Sequence, residues 1–368
     1  MRTPLHRETL PDTVRALAMV SVLVLNAIGY PAAPWGPMLG ERMPQDSALA
    51  GAVQGLVGAL LQGKGMAMLA FVFGMSAWLA ARGRDRPAAR RRALVRNRRL
   101  LGLGIVHGLF VYFGDILTLY ALLGRLLLRR LHLPWRRFRR HLWRTLAWAL
   151  LAKLVFLALL LLPPLATEEP ELTSLATARG AWEFLQLNAL AYGTSQLVGA
   201  ILAAPVVYLC MACGVAGARL RLLTHRRWRP TLRRGLRRSG PVLLGLSVLY
   251  GWGCAVTQPW DLPRIWIDAA GDVIALPVAA CYLAALALAS SGGRAHWCRW
   301  LSPLGQRTLT LYVGHSLLCL ALFSGAGLAM ALSTAQMVLA CLGWWLLALL
   351  AAAHSTRRWP LETWMGRR

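Results

Sequence analysis

Long apolar runs separated by arginine clusters constrain this chain more than any other feature. A helix needs about 20 apolar residues to cross ~30 Å of hydrocarbon. We read ten such spans, at about 12–30, 65–81, 98–113, 115–130, 142–163, 193–217, 239–257, 268–290, 303–323 and 335–354. With 57% hydrophobic and 15% charged residues over 368 positions, the chain is too apolar for a soluble protein of its size. The alternation of a barrel strand is missing, and an open sheet cannot satisfy its backbone in lipid. The expected fold is therefore all-α, a single polytopic helical membrane domain over 1–368.

The net charge of +27 invites a nucleic-acid reading, but the positions of the charges argue against it. Nine arginines fall in 82–99, seven in 129–144, nine in 219–238 and four in 357–368, always between or after apolar runs. That is the positive-inside pattern. It predicts cytoplasmic N- and C-termini and anionic lipid headgroups as the partner of the basic loops, with no nucleic acid. The loop 164–185, carrying Glu168, Glu169, Glu171 and Glu183, is expected outside. An eleventh span at 48–62 would invert everything after it, so that stretch reads as an interfacial or re-entrant helix. The seven cysteines have no framework spacing. Cys210 and Cys213 lack the further ligands of a metal site, so none is expected. Residues 1–11 have no apolar core of a secretory signal.

Ionisable residues inside a span are costly and call for a reason. His107 lies about 13 Å into the third span and His315 about 18 Å into the ninth, at 1.5 Å per residue. Histidines at such depths face either a cavity or a hydrogen-bonding neighbour helix. Arg15 and Asn26, eleven positions apart, point the same way from the first span. Lys64 precedes the second span, where it would cap the 48–62 helix or reach a substrate. Asp115 follows the turn "YFGD", where spans three and four would reverse at the outer face. There Gly114 supplies permissive backbone and Asp115 caps the next helix, so both read primarily as structural. Lys153 and Asp272 carry opposite charges that spacing alone cannot pair, and Arg125 has no evident role. No HExxH, GxSxG, phosphate loop or dinucleotide fingerprint is present.

Four blocks carry a family resemblance: "LPDTVRALAMVSVLVLN" (10–26), "GKGMAMLAFVFGMSAWL" (63–79), "GIVHGLFVYFGDILTLYALLG" (104–124) and "PLGQRTLTLYVGH" (303–315). In this order they resemble the bacterial YeiB-like family of membrane proteins, a domain of unknown function. That family resembles the acyltransferase-3 and heparan glucosaminide N-acetyltransferase families. The third block is the most specific, with His107, Gly114, Asp115, Tyr120 and two further glycines in register. Acyltransferase-3 proteins pair an arginine with a histidine eleven positions later. Arg15 matches the arginine, but Asn26 stands at the histidine position and cannot be a general base. Tyr312 and His315 match the ninth-span pattern of that family, whereas Thr308 and Leu309 depart from it.

The resemblance implies a multi-pass protein of the bacterial inner membrane. It further implies transfer of an acyl group from a cytoplasmic thioester to a membrane-associated or extracytoplasmic glycan or lipid acceptor. Acyl-coenzyme A would be a co-substrate, with no bound cofactor. His107 would be the catalytic base, and Arg15, Asn26, Lys64, Tyr120, Tyr312 and His315 would bind substrate. The alternative is a permease for a small polar or lipid-linked solute, which mid-membrane histidines and a Lys153–Asp272 pair would also suit. No internal repeat supports it.

Overall fold

The computed structural model describes residues 9–30, 47–81, 86–159, 175–257, 262–290, 296–355, 357 and 359–366. Those residues are helix, turn and loop, with no strand among them. The first half comprises α1 (Thr9–Gly29), α2 (Ala48–Leu60), α3 (Lys64–Ala81), α4 (Arg86–Phe110), α5 (Leu117–Leu128), α6 (Trp135–Leu159) and α7 (Ala181–Leu202). The second half comprises α8 (Ala204–Leu220), α9 (Arg229–Val256), α10 (Leu262–Ala289), α11 (His296–Gly305), α12 (Thr308–Phe323), α13 (Thr334–His354) and α14 (Pro360–Gly366).

Helix α1 is the central post. Val14, Leu23, Val24 and Ala27 are fully buried on it, and it packs against α3, α11, α12 and α13. Around it α3 packs on α8, α2 on α9 and α9 on α10. The arginine-rich segments gather at one end of this bundle, because the start of α4, the end of α5, the start of α6 and the end of α8 all lie there. Arg125, in the last turn of α5, faces out at that basic end, where a cation suits the helix dipole.

Six helices are long and apolar enough to cross a membrane, or seven if the bent pair α7–α8 is one span. A helical membrane protein thus stands, but several expected spans change. The span expected at 193–217 begins twelve residues earlier, at Ala181, and bends by 60° between Leu202 and Ala204. Pro205 sits in the first turn of α8, a position where proline's missing N–H does no harm, so the helix restarts there. The stretch 48–62, expected as an interfacial or re-entrant helix, forms α2 and continues after a short break into α3, and Ala48–Ala81 taken together is long and apolar enough to cross a membrane. Lys64 bridges the break by donating to the Gly58 carbonyl at 2.7 Å.

The expected spans 98–113 and 115–130 depart furthest. Helix α4 is arginine-rich until Arg99, which leaves an apolar part from Leu100 to Phe110 about 16 Å long. Helix α5 has 12 residues, about 18 Å. Neither apolar part matches ~30 Å of hydrocarbon. The turn between them, expected at the outer face, is covered by protein. Tyr112 and Phe113 are buried with Leu175, Ala178, Phe184 and Phe323, which roof it. Gly114 also has a different reason from the one expected. Its φ is not positive, but a Cβ there would stand 2.6 Å from the Tyr112 ring. Of the glutamate-bearing loop 164–185, residues up to 174 lie outside the described residues.

Candidate functional site

The tip of the α4–α5 hairpin brings His107 and Asp115 together. Helix α4 ends at Phe110, and the chain turns back so that His107 Nδ1 lies 3.0 Å from Asp115 Oδ1. The other carboxylate oxygen accepts the Thr118 N–H at 2.8 Å and so caps the start of α5. One carboxylate therefore does the expected capping and also holds a histidine. Facing a carboxylate acceptor, Nδ1 is the donor, and Nε2 is directed away from Asp115. Nε2 is buried and has no partner among the described residues. Polar atoms are seldom left so in a folded interior.

Gly104 makes the close approach possible. A Cβ at that position would stand 2.5 Å from the Thr118 nitrogen and 2.9 Å from Asp115 Oδ2. The Tyr312 ring, from α12, lies 4.9 Å from the His107 ring, and its hydroxyl points at Asp115 Oδ1 from 3.5 Å. Asn26 of α1 is buried, and its Nδ2 has no partner among the described residues. His315, one turn beyond Tyr312, meets the Leu23 carbonyl at 2.9 Å through Nε2, and its Nδ1 is unpartnered among the described residues. Tyr30 closes the wall, donating to the carbonyls of Val111 (2.7 Å) and Ser316 (3.1 Å).

Helix α7 covers the hairpin tip with a polar stripe. Asn188 donates to the carbonyls of Gly108 (2.8 Å) and Leu109 (2.9 Å). Tyr192 shares a hydrogen bond with Thr118 at 2.9 Å, Ser195 donates to Phe113 O at 3.3 Å, and Gln196 to Asp115 O at 3.1 Å. Asn188, Ser195 and Gln196 thus satisfy carbonyls at the hairpin tip that burial would otherwise leave without partners. The sequence reading named none of Thr118, Asn188, Tyr192, Ser195 or Gln196. The signal was present: polar residues at i, i+4, i+7 and i+8 in an otherwise apolar run share one helix face.

Other expected site residues lie elsewhere. Arg15 is engaged with Asp12 and with Ser76 of α3, and its position on α1 is eleven residues, about 16 Å, from Asn26. Lys64 is 1% exposed and sits 5.2 Å over the Tyr250 ring, in a second polar cluster where Asp268 accepts from Tyr250 and Arg264. Tyr120 donates to the Met66 carbonyl at 2.9 Å and tethers α5 to α3. Lys153 and Asp272 do meet, at 2.5 Å, on the outside of the bundle, where Asp272 is 47% exposed. Among the described residues no group of three or more histidines, cysteines or acids could hold a metal ion.

No curated protein matches the chain. Residues 217–365 match the family model described as "Protein of unknown function (DUF418)", which spans α9 to α14 and includes Tyr312 and His315. Over that C-terminal stretch the chain is similar to the family that its YeiB-like sequence blocks resemble.

Proposed function

We propose that the protein is a membrane acyltransferase in which His107 is the general base. The observation that carries this reading is a buried histidine held at Nδ1 by a carboxylate, with Nε2 unpartnered among the described residues. Nucleophile-activating histidines are oriented in this way by a carboxylate that fixes tautomer and ring angle. An acceptor hydroxyl or amine bound at Nε2 would give up its proton there as its oxygen or nitrogen attacks the thioester carbonyl. Collapse of the tetrahedral intermediate breaks the C–S bond, and the leaving sulfur takes the proton back from His107. The Tyr312 hydroxyl, on a ring that packs against His107, would serve as a donor for the developing oxyanion, with the unpartnered Asn26 amide as a second candidate. Arg15, sixteen ångströms along α1 by the rise estimate, would act on a remote part of the donor, not on the reacting carbonyl.

We further infer eight crossings in place of ten. The α7–α8 pair counts as one crossing, α12 as another, and the α4–α5 hairpin enters and returns on the basic side. Removing two crossings keeps the orientation of every later helix, so the positive-inside argument still favours cytoplasmic termini in a bacterial inner membrane. The hairpin brings the base to the middle of the bilayer, where a cytoplasmic donor and a membrane-borne acceptor would both have access.

The test is thioester turnover by purified protein in lipid nanodiscs supplied with acetyl-coenzyme A and a membrane lipid extract. Thiol release above that of empty nanodiscs is expected. Its absence across short and long acyl donors, together with solute flux in donor-free proteoliposomes, would replace this reading with the permease.

A further inference from the structure

At the basic end a groove of about 410 Å³ opens between α3, the 131–135 connection and the end of α8, lined by Trp78, His132, Leu133, Trp135, Arg219 and Leu220. Arg219 is fixed in it with unusual firmness. Its guanidinium lies 4.5 Å from the Trp78 ring centre and 4.3 Å from that of Phe138. It donates to the Leu133 carbonyl at 3.0 Å and to the Leu131 carbonyl. Two of its five N–H groups are thereby used. The Nε–H is buried without a partner, and no carboxylate pairs with the charge among the described residues.

We propose that this groove is a seat for the phosphate of an anionic phospholipid. A pre-positioned guanidinium with unused donors matches a phosphodiester better than a mobile lysine would. Two tryptophans, Trp78 against the cation and Trp135, line the groove, and indole rings favour the level of lipid headgroups and esters. Trp143, Leu150 and Leu154 continue from Trp135 on the exposed side of α6, within about 100° of one another around the helix, and offer a track for the acyl chains. Arg129, Arg130, Arg136 and Arg137 beside the groove supply a field that a zwitterionic headgroup would not exploit. The seat is independent of the His107 chemistry, and its occupancy is measured without turnover.

The experiment is native mass spectrometry of the full-length protein, released from detergent containing equimolar phosphatidylglycerol and phosphatidylcholine. The wild type is expected to retain phosphatidylglycerol in preference. Arg219→Gln should cut that retention about fivefold, the effect of one well-placed cationic contact. Because Arg219 also ties down 131–133, Trp135→Ala serves as the second variant, since it reshapes the groove and leaves the carbonyl bonds of Arg219 in place. A double substitution on the exposed part of α9, Arg233→Gln with Arg237→Gln, should leave the preference unchanged. Equal retention by wild type and Trp135→Ala would overturn the seat, as would an equal loss in the α9 double variant. Thermal stabilisation by inorganic phosphate matching that by phosphatidylglycerol would overturn its assignment to a lipid.

Discussion

Asparagine at position 115 would still accept the Thr118 N–H and cap α5, but it would present a neutral amide to His107 Nδ1. Read as a helix cap alone, Asp115 predicts a mild Asp115→Asn variant. The 3.0 Å contact with His107 reverses that expectation. Folded yield should remain near wild type while thioester turnover falls by about 10²–10⁴-fold, the range of a lost general-base contribution. Turnover and size-exclusion profiles on the same preparation check both halves of the prediction. Both residues were legible in the sequence as costly groups in an apolar setting, but their pairing was not. Helical spacing says which residues share a face only while the helix lasts, and α4 ends between the two positions. Arg15 and Asn26 show the opposite failure. About sixteen ångströms of helix separates them, and Arg15 is held locally by Asp12.

At the scale of helices, apolar length was the legible quantity and depth was not. The runs around α1, α6, α9, α10 and α13 fall where hydropathy put them, because each is a nearly continuous apolar segment. The α4–α5 hairpin, expected as two full spans, is built from two half-length apolar stretches joined by a turn and flanked by arginines. Helix α7 begins before the expected span at 193–217, and Asn188, Tyr192, Ser195 and Gln196 are what attach it to the site. Pairing between helices is equally invisible to spacing, as Lys153 and Asp272 show. Lys153→Met should leave Asp272 as a lone carboxylate on a lipid-facing surface, at a cost of about 2–3 kcal/mol. Adding Asp272→Leu should restore the melting temperature in detergent, because two apolar side chains replace an ion pair with little net loss. A double variant no more stable than Lys153→Met alone would show that the pair has another duty.

For the whole molecule, the basic end and the helical membrane architecture follow from composition and charge placement, whereas the buried hairpin follows from tertiary packing that no local pattern encodes. Orientation and crossing count make separate accessibility predictions. Cysteines introduced at exposed Met330 and Gly235 should be labelled from opposite sides, outside and inside respectively. Val111→Cys, at the hairpin tip, should be labelled from neither side, whereas a turn at the outer surface would make it reactive from outside. The central claim is that His107 moves the proton in acyl transfer, and the measurement closest to it is thioester turnover by purified His107→Gln, alone and with Asp115→Asn. Glutamine keeps hydrogen-bonding capacity but has no nitrogen that takes a proton near neutrality. If the two residues act as one unit, each single variant loses most of the turnover and the double variant is no worse than His107→Gln. A folded His107→Gln protein that released thiol at the wild-type rate would contradict the account.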